Sequence, residues 1–109
     1  MVIFSVVDIN AGGYEATLLE FTIGGDGNLL PEELPAIIAQ LGDTIDGTKG
    51  VIIGGRGPLW LYGAILHHLH VTRWSATYDP RLGAVVVASH HPSAPSPGTV
   101  LPVPKPALA

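Results

Sequence analysis

The sequence predicts a single compact α/β domain: a mixed β-sheet of about five strands with two helices. Three observations predict it. Short β-branched runs are separated by Gly, Asn and Asp turns; two stretches of helical periodicity each open on a proline; and a strand, a glycine-rich turn and a helix follow one another across residues 51–70. At 109 residues the chain is long enough to bury one core, and with no cysteine it must do so without disulfides.

The first strand is Val2–Asp8, and Asn10-Ala11-Gly12-Gly13 supplies residues that tolerate positive φ in a hairpin turn. Apolar and polar positions partly alternate from Tyr14 to Ile23, which predicts a second strand with one covered face, antiparallel to the first. Asp26-x-Asn28 has the opening of a calcium loop. The loop's twelfth position is Ile37 where a glutamate is required, so the segment reads as a turn.

Pro31, Glu32 and Glu33 suit a helix first turn, where a missing N–H costs little and negative charge meets the positive end of the dipole. Leu34, Ile37, Ile38 and Leu41 repeat at helical spacing up to Gly42, and Pro35 lies early enough to be accommodated. Val51-Ile52-Ile53 reads as a buried strand parallel to a neighbour. Gly54-Gly55-Arg56-Gly57-Pro58 turns it into a second helix reaching His70, with Leu59, Tyr62, Ile65, Leu66 and Leu69 on its apolar face. Trp74–Tyr78 and Ala84–Ser89 form a hairpin around Asp79-Pro80-Arg81-Leu82-Gly83, where Asp79 caps the turn. The domain is expected to occupy residues 1–91, and residues 92–109, with six of the ten prolines, to form an extended tail or the start of a linker.

Only 13% of the residues are charged while 47% are hydrophobic, a combination that predicts apolar surface covered by another subunit. A net charge of -4 argues against long duplex nucleic acid, which needs a broad basic surface, but leaves room for a short nucleotide in a local pocket. No basic leader precedes the first strand and no apolar run approaches a membrane span, so a cytoplasmic location is expected.

Residues 54–91 hold all five histidines and three of the five Lys and Arg residues. The glycine turn is neither a dinucleotide fingerprint nor a Walker loop. Its physical case as a ligand turn rests on Gly55 and Gly57, which allow close backbone approach, on unpaired N–H groups at a helix start, and on the Arg56 guanidinium. His67 and His70 are i, i+3 neighbours in a sector shared with Gly63 and Trp60, whose indole is suited to stacking on a base. Such a pair can also ligate a transition metal. Each feature has a plainer reading: a tight turn with a solvated arginine, a structural histidine, and an Asp79–Arg81 surface pair.

The run GRGPLWLYGAILHHLH followed by YDPRLGAVVVASHH closely resembles the small CRISPR-associated ring nuclease family, first described as manganese-dependent deadenylating RNA exonucleases. The likeness covers about a third of the chain, with its motifs in order. It implies a metal-dependent ribonuclease that cleaves cyclic tetra-adenylate to end type III CRISPR signalling, with trimming of short single-stranded RNA at 3′ adenylate ends as a second activity. It also implies a fold that is distantly Rossmann-like and a homodimer that meets a second dimer around the ring-shaped ligand.

Carried over by position, His70, Asp79 and Arg81 match the active-site residues, and Gly55, Arg56, Gly57 and Trp60 fall in the ligand-binding segment. Mn2+ is the implied cofactor, with His67, Asp79 and His90 as its candidate ligands. One copy offers too few cations to surround four phosphates, so a site shared between copies is expected, with Asp79 and Arg81 arriving from different subunits. A rival expectation is a non-catalytic sensor of cyclic oligoadenylate.

Overall fold

The computed structural model describes residues 1–25, 27–42 and 44–104. It contains one six-stranded sheet of order β1-β2-β3-β4-β5-β6, comprising β1 (Val2–Ala11), β2 (Tyr14–Ile23), β3 (Gly50–Gly54), β4 (Trp74–Asp79), β5 (Gly83–Ser89) and β6 (Val100–Leu101). Helix α1 (Leu34–Gly42), entered through a 3-10 turn at Pro31–Glu33, links β2 to β3. Helix α2 (Leu59–His68), extended by a 3-10 turn at Leu69–Val71, links β3 to β4. The α/β class and mixed sheet expected from sequence are present, with one strand more. Among the described residues no helix is long and apolar enough to cross a membrane. Asp26, on which the calcium-loop reading turned, lies outside the described residues.

β1 and β2 pair antiparallel along their full length, turning at Gly12 and Gly13, both at positive φ, while the Gly13 N–H donates to the Asn10 side chain. β3 runs parallel to both β2 and β4, as crossovers through helices require. Its five residues are all buried.

β2 departs from expectation. It was read as covered on one face, yet Ala16, Thr17, Leu18 and Leu19 are all buried. One face packs under the helices, where Leu19, Phe21, Val51 and Ile53 meet Ile37, Leu41, Leu61, Ile65 and Leu69. The other face holds a second core of Ala11, Ala16, Leu18, Ile52, Trp74, Ala76, Ala84, Val86 and Leu101. Among the described residues no helix covers that second core; the sheet curls over it. At Gly12 an added Cβ would stand 3.1 Å from Pro102 Cδ and 3.3 Å from Leu101 Cδ2, so the β1–β2 hairpin tip lies against the far end of the sheet.

The proline-rich segment therefore includes a structural part. Val100 and Leu101 pair with Val85 and Ala84. The loop before them is fastened by Gly98 N–H donating to Val86 O at 2.8 Å and Val86 N–H donating to Thr99 O at 2.9 Å. Two residues among prolines give no periodic signal, which is why the strand was not expected. Residues 105–109 of the expected tail lie outside the described residues.

The apolar face of α2 is also adjusted. Leu59, assigned to it by angle, is 89% exposed, whereas Leu61 is fully buried with Ile65 and Leu69. Leu59 opens the helix just after Pro58, and the buried stripe runs instead at i, i+4 from Leu61.

Candidate functional site

Because β2, β3 and β4 share a direction, their carboxyl ends gather at one edge of the sheet. The glycine turn and the β4–β5 turn both emerge there. Helix α2 runs back toward the other edge, so its last turn, the following Leu69–Val71 turn and the end of β5 collect at the amino ends of β3 and β4.

This geometry divides the predicted site residues into two groups. Gly55, Arg56, Gly57, Trp60, Asp79 and Arg81 lie toward the carboxyl edge; His67, His70 and His90 lie toward the amino edge. β4 alone, six residues at about 3.3 Å each, separates the two by about 17 Å. A helical wheel placed Trp60 beside His67 and His70, but a rise of about 1.5 Å per residue sets Trp60 roughly 15 Å from His70 along the axis. Arg73 also lies at the amino edge, where its Nε donates to Thr48 O at 2.8 Å.

At the carboxyl edge a cleft of about 320 Å³ is lined by Glu20, Gly54, Gly55, Arg56, Tyr62, Tyr78 and Pro80. The glycines of the turn have a structural cause. A Cβ on Gly55 (φ 136°) would come within 2.5 Å of Phe21 O, and one on Gly57 within 2.7 Å of the Phe21 ring. Their small size admits Phe21 against the turn from below. The Tyr62 hydroxyl donates to Gly55 O and its ring meets Phe21 edge to face at 5.2 Å, which fixes the turn from the helix side. Burial pushes the Tyr62 phenol above its ordinary pKa, so it keeps the proton it donates.

Asp79 and Arg81 are brought together within one turn. Asp79 Oδ1 accepts from the N–H groups of Arg81 at 2.8 Å and Leu82 at 3.3 Å, and stands 3.8 Å from Arg81 Nε. With Arg81 largely exposed, that ion pair contributes little stability. One carboxylate oxygen is thus engaged in the turn, and the expectation that the two residues reach a site from different subunits is revised: within each chain they present one joint surface.

At the amino edge the His67 and His70 rings lie 5.8 Å apart, as their spacing predicted. The His67 carbonyl oxygen, 2.9 Å from His70 Nδ1, can only accept, so Nδ1 donates to it and, in the neutral tautomer, Nε2 is the acceptor nitrogen. His90 is arranged the same way, its Nδ1–H donating to Thr72 O at 2.9 Å. His91 differs: its Nδ1 accepts from Ser93 N–H at 3.1 Å, which puts its proton on Nε2. His90, His91, Thr48, Thr72 and Arg73 border a second cleft of about 300 Å³. Its loop is ordered by Asp46, whose carboxylate is held below the usual range by the Thr48 hydroxyl and amide.

Among the described residues no three His, Cys, Asp or Glu side chains gather as a metal site. His67, Asp79 and His90 therefore do not form one coordination sphere within a single chain. The residues that sequence reasoning missed are Glu20, Tyr62 and Tyr78. Tyr62 was read as core, and the place of Glu20 follows only from strand register.

A protein from Aquifex aeolicus (strain VF5), described as uncharacterized, is 41% identical to this chain over 86 residues, which are 72% of this chain and 71% of that protein. Residues 22–102, from the end of β2 through β6, match the model of the family described as CRISPR-associated protein (Cas_csx3). The match spans both helices and the four strands β3 to β6, and the chain belongs to that CRISPR-associated family.

Proposed function

We propose that this protein is a ring nuclease that cleaves cyclic tetra-adenylate at a site assembled between copies, with the Asp79 and Arg81 edge of one copy facing the His70 edge of another. The observation that carries this reading is the placement of those residues at opposite edges of one sheet, too far apart to act on one phosphodiester within a chain. Head-to-tail approach of two copies supplies each edge with what it lacks. The family membership and the sequence resemblance support the substrate class.

The residues suit transesterification. A ribose 2′-hydroxyl loses its proton to Nε2 of His70 and its oxygen attacks the adjacent phosphorus; the P–O5′ bond breaks, the 5′ oxygen takes a proton from water, the His70 imidazolium returns its proton to solvent, and a 2′,3′-cyclic phosphate remains. Arg81 neutralises the phosphate in the transition state, and Arg56 holds a neighbouring phosphate at the glycine turn. Manganese, implied by the resemblance, would supply Lewis-acid charge at the phosphate. Since one chain assembles no three donors, such an ion would draw donors from two copies, Asp79 from one and His67 or His90 from the other.

Incubation with labelled cyclic tetra-adenylate, with and without manganese, tests the proposal. The expected result is linear product at a rate rising more steeply than first order in protein concentration. Tight binding without cleavage would replace the enzyme by a sensor; neither binding nor cleavage would overturn both.

Arg56→Ala is expected to raise KM about tenfold, the usual size of a lost charge-assisted hydrogen bond, with kcat largely retained. Steady-state kinetics check it: a loss confined to kcat would make Arg56 part of the chemical step.

A further inference from the structure

Glu20, Gly54 and Tyr78 stand in one row across β2, β3 and β4: Glu20 pairs with Gly54, and the β3–β4 register places Tyr78 on the other side. An added Cβ at Gly54 would lie 3.7 Å from Glu20 Cγ and 3.7 Å from Tyr78 Cβ. Both are ordinary van der Waals distances. The missing side chain therefore leaves a slot one atom thick, with the Glu20 stem as one wall and Tyr78 as the other. It opens into the cleft of about 320 Å³, within the usual volume range of small-molecule sites.

The cleft's charges add a second observation. Glu20 and Arg56 both line it, and among the described residues neither side chain makes an ion pair or hydrogen bond. A half-buried carboxylate and a guanidinium left unpaired in one cleft suit a ligand carrying an anionic group at one end and N–H donors at the other. A planar ring satisfies the slot.

We propose that this slot is a nucleobase subsite, in which the base inserts beside Tyr78, its amino group donates to the Glu20 carboxylate, and its phosphate meets Arg56. The proposal rests on the nucleotide reading above and adds to it the residue that senses the base.

NMR titration of the intact protein with 5′-AMP and with the 5′-monophosphate of purine riboside, which lacks the amino group, tests it. Wild type is expected to bind 5′-AMP about tenfold more tightly, and Glu20→Ala to abolish that preference by weakening 5′-AMP alone. Arg56→Ala should weaken both. Gly54→Ala meets no clash and should fold normally while closing the slot to either probe. 5′-GMP, with more N–H donors on its edge, should bind at least as well as 5′-AMP.

Equal wild-type affinity for the two probes, no detectable 5′-AMP binding, or an unchanged preference in Glu20→Ala would overturn the subsite. The two readings fail separately. Normal cleavage of cyclic tetra-adenylate by Glu20→Ala with no change in base preference removes the subsite and leaves the nuclease; base discrimination without binding of the cyclic ligand does the reverse.

Discussion

Turnover of cyclic tetra-adenylate by His70→Ala is expected to fall about 10²–10⁴-fold, the usual cost of losing a general acid or base, with thermal stability unchanged. His70 is exposed and, among the described residues, its side chain bonds to the His67 carbonyl alone, so its removal opens no cavity. Asp79→Asn should be similarly impaired. It is preferred to alanine because the amide oxygen can still accept from the Arg81 and Leu82 N–H groups that order the turn.

The informative experiment mixes the two. If the histidine edge of one copy serves the aspartate edge of another, hybrid assemblies contain a fraction of sites with both residues intact, and activity returns on mixing. Mixing Asp79→Asn with Arg81→Ala should restore far less, since those residues share one turn and enter any site together. Subunit exchange verified by mass spectrometry, with no recovery at any ratio of His70→Ala to Asp79→Asn, would rule out the shared site.

The largest stability effect is expected at Gly50, which begins β3. A Cβ there would overlap the indole of Trp74, a buried side chain of the second core. Gly50→Ala should destabilise by roughly 2–3 kcal/mol, because overpacking outweighs the smaller gain from a less flexible unfolded chain, and should lower Tm by about 10 °C or more. Gly63→Ala is the control. Nothing lies within 4 Å of a Cβ at that helical position, so it should stabilise by about 0.5–1 kcal/mol. Calorimetry on both variants checks the contrast, and Gly50→Ala combined with Trp74→Leu should be less damaged than the sum of the two single changes.

The legible parts of the fold were those whose signal is local. Asn10–Gly13 announced a hairpin, Val51-Ile52-Ile53 a buried strand parallel to a neighbour, and Asp79–Gly83 a second hairpin, and each is present. What stayed hidden depends on partners distant in sequence. The second buried face of β2 exists because the sheet curls, and the role of Gly55 and Gly57 depends on Phe21, which no spacing within the turn reveals.

For the site, the sequence marked the chemically capable residues between Arg56 and His91 but hid their division. Proximity along the chain concealed a full strand length between His70 and Asp79, and an angular projection concealed the length of α2 between Trp60 and His70. Glu20 carried no motif at all. Its interest arises from register alone, opposite a glycine whose missing side chain opens the slot.

The contact between Gly12 and the Leu101–Pro102 corner has a kinetic consequence. Each hairpin closes a loop of a few residues and can form early, whereas the curl joins opposite ends of the chain and must bear the largest loop-closure entropy. The seam between hairpin tip and last strand is therefore expected to form after the rest of the sheet. Until then Ala11, Ala84 and Leu101, all buried in the native state, stand open along one side. Substitutions at this seam should chiefly speed unfolding and leave the folding rate nearly unchanged, the pattern of contacts absent from the transition state.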